Sequence, residues 1–139
     1  VVLYIKPSRY INAQKREELY KAATLFLNEL MDPDEKTNVI IEISVKGSGL
    51  QKFVDGYCLC TDEDSKGKPK EIAIDIRGDR GLDYAIKCMA HEIVHAWQMI
   101  TGRIDLNMHA DLEDHYNAPW EVEARELEEP LYQIYLQHS

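Results

Sequence analysis

Cysteine is scarce in this chain. Three in 139 residues is an odd number and too few for a disulfide framework, so the fold must rest on its core. Basic side chains are also in short supply, 16 Lys and Arg against 25 Asp and Glu, for a formal charge of −9. That balance argues against direct binding to a nucleic acid, because phosphate backbones select for clustered cations. No apolar run approaches the ~18 residues of a membrane span, and Val1 to Tyr10 lacks a secretory-signal layout. No membrane partner is expected, and the cysteine usage fits a reducing, cytoplasmic compartment. Internal repeats and low-complexity tracts are missing too. What is left, 16.1 kDa with 45% hydrophobic and 29% charged residues, is the composition of one ordinary globular domain over residues 1–139.

The negative charge is concentrated. Nine acids lie between Asp105 and Glu129 against one base, Arg125, so that stretch carries −8 and leaves −1 for all the rest. Most of these side chains read as a solvated face. An acidic rim of this kind also favours cationic ligands and basic peptide segments.

Periodicity orders the elements. Apolar residues at Leu19, Ala23, Phe26, Leu27 and Leu30 recur at helical spacing within a helix from about Asn12 to Met31, closed by Asp32-Pro33-Asp34. Asn38 to Val45 is β-branched and reads as a strand, and a second is expected near Val54 to Cys60. Glu71 to Arg77 alternates Ile72, Ile74 and Ile76 with polar or small residues, the pattern of a half-buried strand, expected near a sheet edge. A helix from Leu82 to Ile100 ends at Thr101-Gly102, and a last one starts at Pro119, with Pro130 expected to split it near Glu129. One helix, about three strands and two further helices make an α+β fold.

The chemistry is concentrated in His91-Glu92-Ile93-Val94-His95. Four residues are about one helical turn, so the pattern H-E-x-x-H sets both imidazoles on one face, able to share an ion. Zinc takes such nitrogen ligands and leaves a position open to water when three protein groups hold it. Glu92, about 100° around the helix, is placed to take a proton from that water rather than to ligate. The longer pattern H-E-x-x-H-x-x-G-x-x-H does not apply, because Gln98 and Thr101 stand at its last two fixed positions. The third ligand must come from His109, His115, Glu121 or Glu123. Glu121 and Glu123 lie about 200° apart on a helix, so only one of them can face the metal.

His91 to His95, followed after a loop by Pro119-Trp120-Glu121-Val122-Glu123-Ala124-Arg125, resembles the gluzincin branch of zinc metallopeptidases. The resemblance implies a minimal zincin-like domain with zinc as cofactor. It also implies a third ligand from a glutamate in a Glu-Ala context, which Glu123-Ala124 matches and Glu121-Val122 does not. The strand Glu71 to Arg77, leading into the pentad helix, is similar to that of the compact SprT-like and phage-type zincins. In those the strand lies beside the metal and can pair with an extended peptide. An acid four residues after the ligand glutamate is common in gluzincins; here Leu127 holds that place, leaving Glu126, Glu128 or a backbone carbonyl to orient a ligand histidine. A histidine third ligand in the SprT-like manner would fall on His109.

These readings combine into a zinc metalloendopeptidase acting on peptide or protein substrates, basic segments among them. His91, His95 and Glu123 hold the metal, Glu92 activates water, and His115 and Tyr116 are candidates for stabilising the tetrahedral oxyanion. Two other functions are compatible with the same residues: a catalytically silent zincin-fold scaffold, and a SprT-like protease acting on DNA-associated proteins. Cys58 and Cys60 are too close together for a zinc-ribbon pair, and Cys88 is expected to pack as a small hydrophobe. Trp97 and Trp120 are expected to pack the two metal-bearing helices together.

Overall fold

β-Branched side chains at alternate positions build a sheet with one buried face. In the computed structural model, which describes residues 1–35, 37–47, 56–104 and 117–138, the strands are Val2–Ile5 (β1), Ile40–Lys46 (β2), Gly56–Glu63 (β3) and Pro69–Arg77 (β4). They form one mixed sheet in the order β1-β2-β4-β3. β1 runs parallel to β2 and β2 to β4, whereas β3 is antiparallel to β4. Ile41, Ile43 and Val45 of β2 pair with Ile72, Ile74 and Ile76 of β4, and all six are buried. Each such side chain contributes about 1.5–3 kcal/mol by leaving water.

Among the described residues three helices complete the α+β fold: Ala13–Leu30 (α1), Leu82–Ile100 (α2) and Pro119–Gln137 (α3). Asn12 caps α1 by accepting the Lys15 amide at 2.8 Å. Leu19, Ala23, Phe26 and Leu27 of the α1 stripe are buried. α2 packs on β3 and β4, and also touches both other helices, so nearly every side of it is covered. Its run of buried residues, from Ala85 to Ile100, reflects that central place.

The structure departs from the sequence pattern at three points. Among the described residues the sheet has four strands where about three are expected, because the short apolar start pairs with β2 as β1. β4 is no edge strand: β2 lies on one side of it and β3 on the other, and the outer strands are β1 and β3. Alternation reports one buried face and is blind to position in the sheet, since helices on one face impose it on central and outer strands alike. Pairing of an extended peptide along Glu71–Arg77 is therefore blocked. Pro130 does not split the last helix, which continues through it. Both Pro130 and Glu126, whose carbonyl loses its donor, are exposed, so water can satisfy the freed oxygen.

Candidate metal centre

α2 carries His91, Glu92 and His95 on buried turns, and one donor atom from each lies within 4.8 Å of the other two, a group that could hold a metal ion. The two rings meet edge to face with centroids 4.9 Å apart. α3 brings a carboxylate to them. Glu121 Oε2 lies 3.3 Å from His91 Nε2, and Glu121 Oε1 lies 2.5 Å from His95 Nε2. One carboxylate thus bridges both imidazoles.

The Glu-Ala context points to Glu123 for this position, and the structure places it elsewhere. Glu123 Oε2 is 2.7 Å from Arg103 Nη2, and its Oε1 accepts from Gln98 Nε2 at 2.8 Å. Two residues along a helix turn a side chain through about 200°, so once Glu121 faces His91 and His95, Glu123 points away from them. The Glu-Ala context is a property of sequence and carries no information on the rotation of α3 about its axis. His115 and Tyr116, like His109, lie outside the described residues.

The outer nitrogens of both rings are also engaged. His91 Nδ1 lies 3.3 Å from Glu128 Oε2. Glu128 follows Glu121 by seven residues, two helical turns, so the same face of α3 supplies both carboxylates. His95 Nδ1 lies 2.8 Å from Gln98 Oε1. The amide of Gln98 is oriented by its other end, because Nε2 donates to Trp120 O at 3.0 Å and to Glu123 Oε1. A carbonyl oxygen therefore faces His95 Nδ1, which must donate, and the Nε2 side of the ring turns toward Glu121.

Electrostatics follow from this packing. Burial pushes the Glu92 carboxyl up to about 7, partly offset by the charges of His95 and His91. Burial alone would lower His91, but its bonds to Glu121 and Glu128 prevail and carry it to about 10. Burial likewise opposes ionisation of Glu121, yet its bonds to His91 and His95 hold the carboxyl well below the usual range. Glu123 is also lowered, its burial outweighed by Arg103 and Gln98.

The donor set suits a divalent ion. Two imidazoles and one carboxylate converge, each imidazole is braced from behind, and Glu92 stands beside them only 6% exposed. Gly56, the first residue of β3, makes room for Glu92: a Cβ there would sit 3.1 Å from Glu92 Cγ and 2.9 Å from the Asp75 carbonyl. Cys58 is buried and Cys88 half-buried, and neither belongs to the metal-capable group among the described residues. Trp97 and Trp120 are half-buried against the core.

Glu121 and Gln98 are the residues to which the sequence pattern gives too little weight, whereas Glu128 is one of the acids expected to orient a histidine and lies 3.3 Å from His91 Nδ1. A signal existed for each: acids at i and i+7 on one helix, and a lone amide one turn after His95 in an otherwise apolar stretch. Comparison with known proteins adds no relative, since no family model matches the chain and neither a curated protein nor a solved structure does.

Proposed function

We propose that the protein is a zinc-dependent metallopeptidase in which His91, His95 and Glu121 hold the ion and Glu92 is the general base. The convergence of the Glu121 carboxylate on both imidazoles is the observation that carries this reading. A bound zinc ion supplies Lewis acidity toward a peptide carbonyl and toward water. The rest falls to the chain. Glu92, buried on the same turn as His91, accepts the proton that water gives up in attacking the carbonyl and can pass it to the leaving amine. Glu128 and Gln98 keep the two imidazoles in place.

The substrate lies along β3 in this proposal. Among the described residues β3 pairs only with β4, so its outer edge is open to an extended peptide. A Cβ on Gly56, at its start, would sit 3.1 Å from Glu92 Cγ, so the start of β3 lies beside the general base. The acidic stretch before and within α3 favours basic peptide segments.

The test joins elemental analysis with hydrolysis of a fluorogenic peptide library. The wild-type chain should hold one zinc and cleave peptides, and Glu92→Gln should hold zinc and cleave none. Zinc retention without turnover in the wild type would instead identify a scaffold, and hydrolysis by Glu92→Gln would remove the mechanism.

A further inference from the structure

Behind His95 the structure holds a chain of polar contacts that neither the metal-binding pattern nor the reaction requires. It begins at the end of α2. Gly102 adopts φ 73°, its amide reaches the Met99 carbonyl at 3.3 Å, and the Arg103 amide bonds the Gln98 carbonyl at 2.9 Å. That pair of bonds is a Schellman ending, which folds the chain back over the last turn. Arg103 is thereby brought next to Gln98. Its guanidinium lies 4.5 Å from the centroid of the Trp97 ring and binds Glu123 through Nη2 and, at 3.4 Å, through Nε.

Glu123 in turn accepts from Gln98, a fully buried amide with a bond to each of three groups. A buried amide is costly to leave unmatched, so its two ends cannot exchange places without losing two acceptors, Trp120 O and Glu123 Oε1.

We infer that Arg103, Glu123 and Gln98 form a positioning chain that fixes the ring of His95 with its proton on Nδ1, and that Glu123 acts through Gln98 rather than as a ligand. This rests on the proposed metal site for its purpose, but not for its geometry. The Arg103–Glu123 pair, with its guanidinium exposed, contributes little stability by itself. Its value lies in keeping a carboxylate oxygen where the Gln98 amide must point.

The probes are zinc(II), titrated against a chromophoric chelator, and long-range proton–nitrogen spectra of His95 in the metal-free protein. Wild type should show a hydrogen-bonded proton on Nδ1 of His95. Gln98→Met should lose that signal and bind zinc about 10–100-fold more weakly, the usual cost of removing an outer partner. Glu123→Gln, a near-isosteric change at a half-buried site, should show a smaller loss in both readouts. The combined exchange Gln98→Glu with Glu123→Gln restores an acceptor toward His95 and a donor behind it, and should recover more affinity than Gln98→Glu alone. An unchanged His95 signal in Gln98→Met, with zinc affinity within about twofold of wild type, would overturn the inference. So would a loss in Glu123→Gln as large as that in Glu121→Gln, which would make Glu123 a ligand. Should the wild type take up no zinc, the metal reading fails, and the metal-free His95 signal still decides for or against the chain.

Discussion

Glu121 Oε1 lies 2.5 Å from Nε2 of His95, although the two residues belong to different helices separated by an acidic connection. The same carboxylate reaches His91, so the packing of α3 on α2 is what completes the candidate centre. Glu121→Gln should therefore weaken zinc binding by more than about 100-fold, beyond the loss of any outer partner. Chelator competition measures it, and near-wild-type affinity in this variant would remove Glu121 from the proposed ligand set.

Gly56 is a spacer for Glu92, the proposed general base. In Gly56→Ala the new methyl group meets the Asp75 carbonyl, which is backbone and cannot swing aside, and the Glu92 side chain. Overpacking of this sort costs about 1–3 kcal/mol. Zinc should stay bound while peptide hydrolysis falls at least about tenfold, since a small displacement of a base is expensive. Unaltered turnover in Gly56→Ala would mean that Glu92 does not need its present position.

The metal-free protein should lose stability as pH rises. Glu92, raised by burial to about 7 despite His95 and His91, favours the fold below its ordinary value, and that contribution is lost as pH climbs through about 7. His91 is lowered by burial but raised more by Glu121 and Glu128, to about 10. Its contribution is complete below its ordinary value of 6.5 and disappears as pH rises through about 10. Glu121 is held low by the two histidines against the effect of burial, so its contribution is lost only as pH falls well under 4.5. Calorimetry on chelator-treated protein should show the midpoint highest near pH 5 and falling by on the order of 5 °C or more toward pH 10. Glu92→Gln should flatten the lower half of that fall. A midpoint that increases between neutrality and pH 10 would contradict the assignment.

Pro130 is a fault that α3 tolerates. Helix interiors disfavour proline by about 3 kcal/mol relative to alanine, and here the position is exposed. Pro130→Ala should stabilise the protein by about 1–3 kcal/mol without altering zinc content. Urea denaturation reads the difference, and a destabilised variant would show that the ring makes a packing contact of its own.

Much of this protein was legible from local sequence, because local rules are short-ranged. The spacing of His91 and His95 fixes a shared face on any α-helix, and Leu82–Ile100 has the composition and the glycine stop that make one. Alternation of Ile72, Ile74 and Ile76 fixes a strand with one buried face. The tertiary structure alone decided what these faces meet. Whether β4 is central or outer depends on which strands pair with it, a matter of long-range hydrogen bonding that alternation does not encode. Whether Glu121 or Glu123 reaches the imidazoles depends on the rotation of α3 about its axis, and the packing of that helix on α2 sets it. A turn of about 200° separates the two carboxylates, and only contact between helices could choose between them.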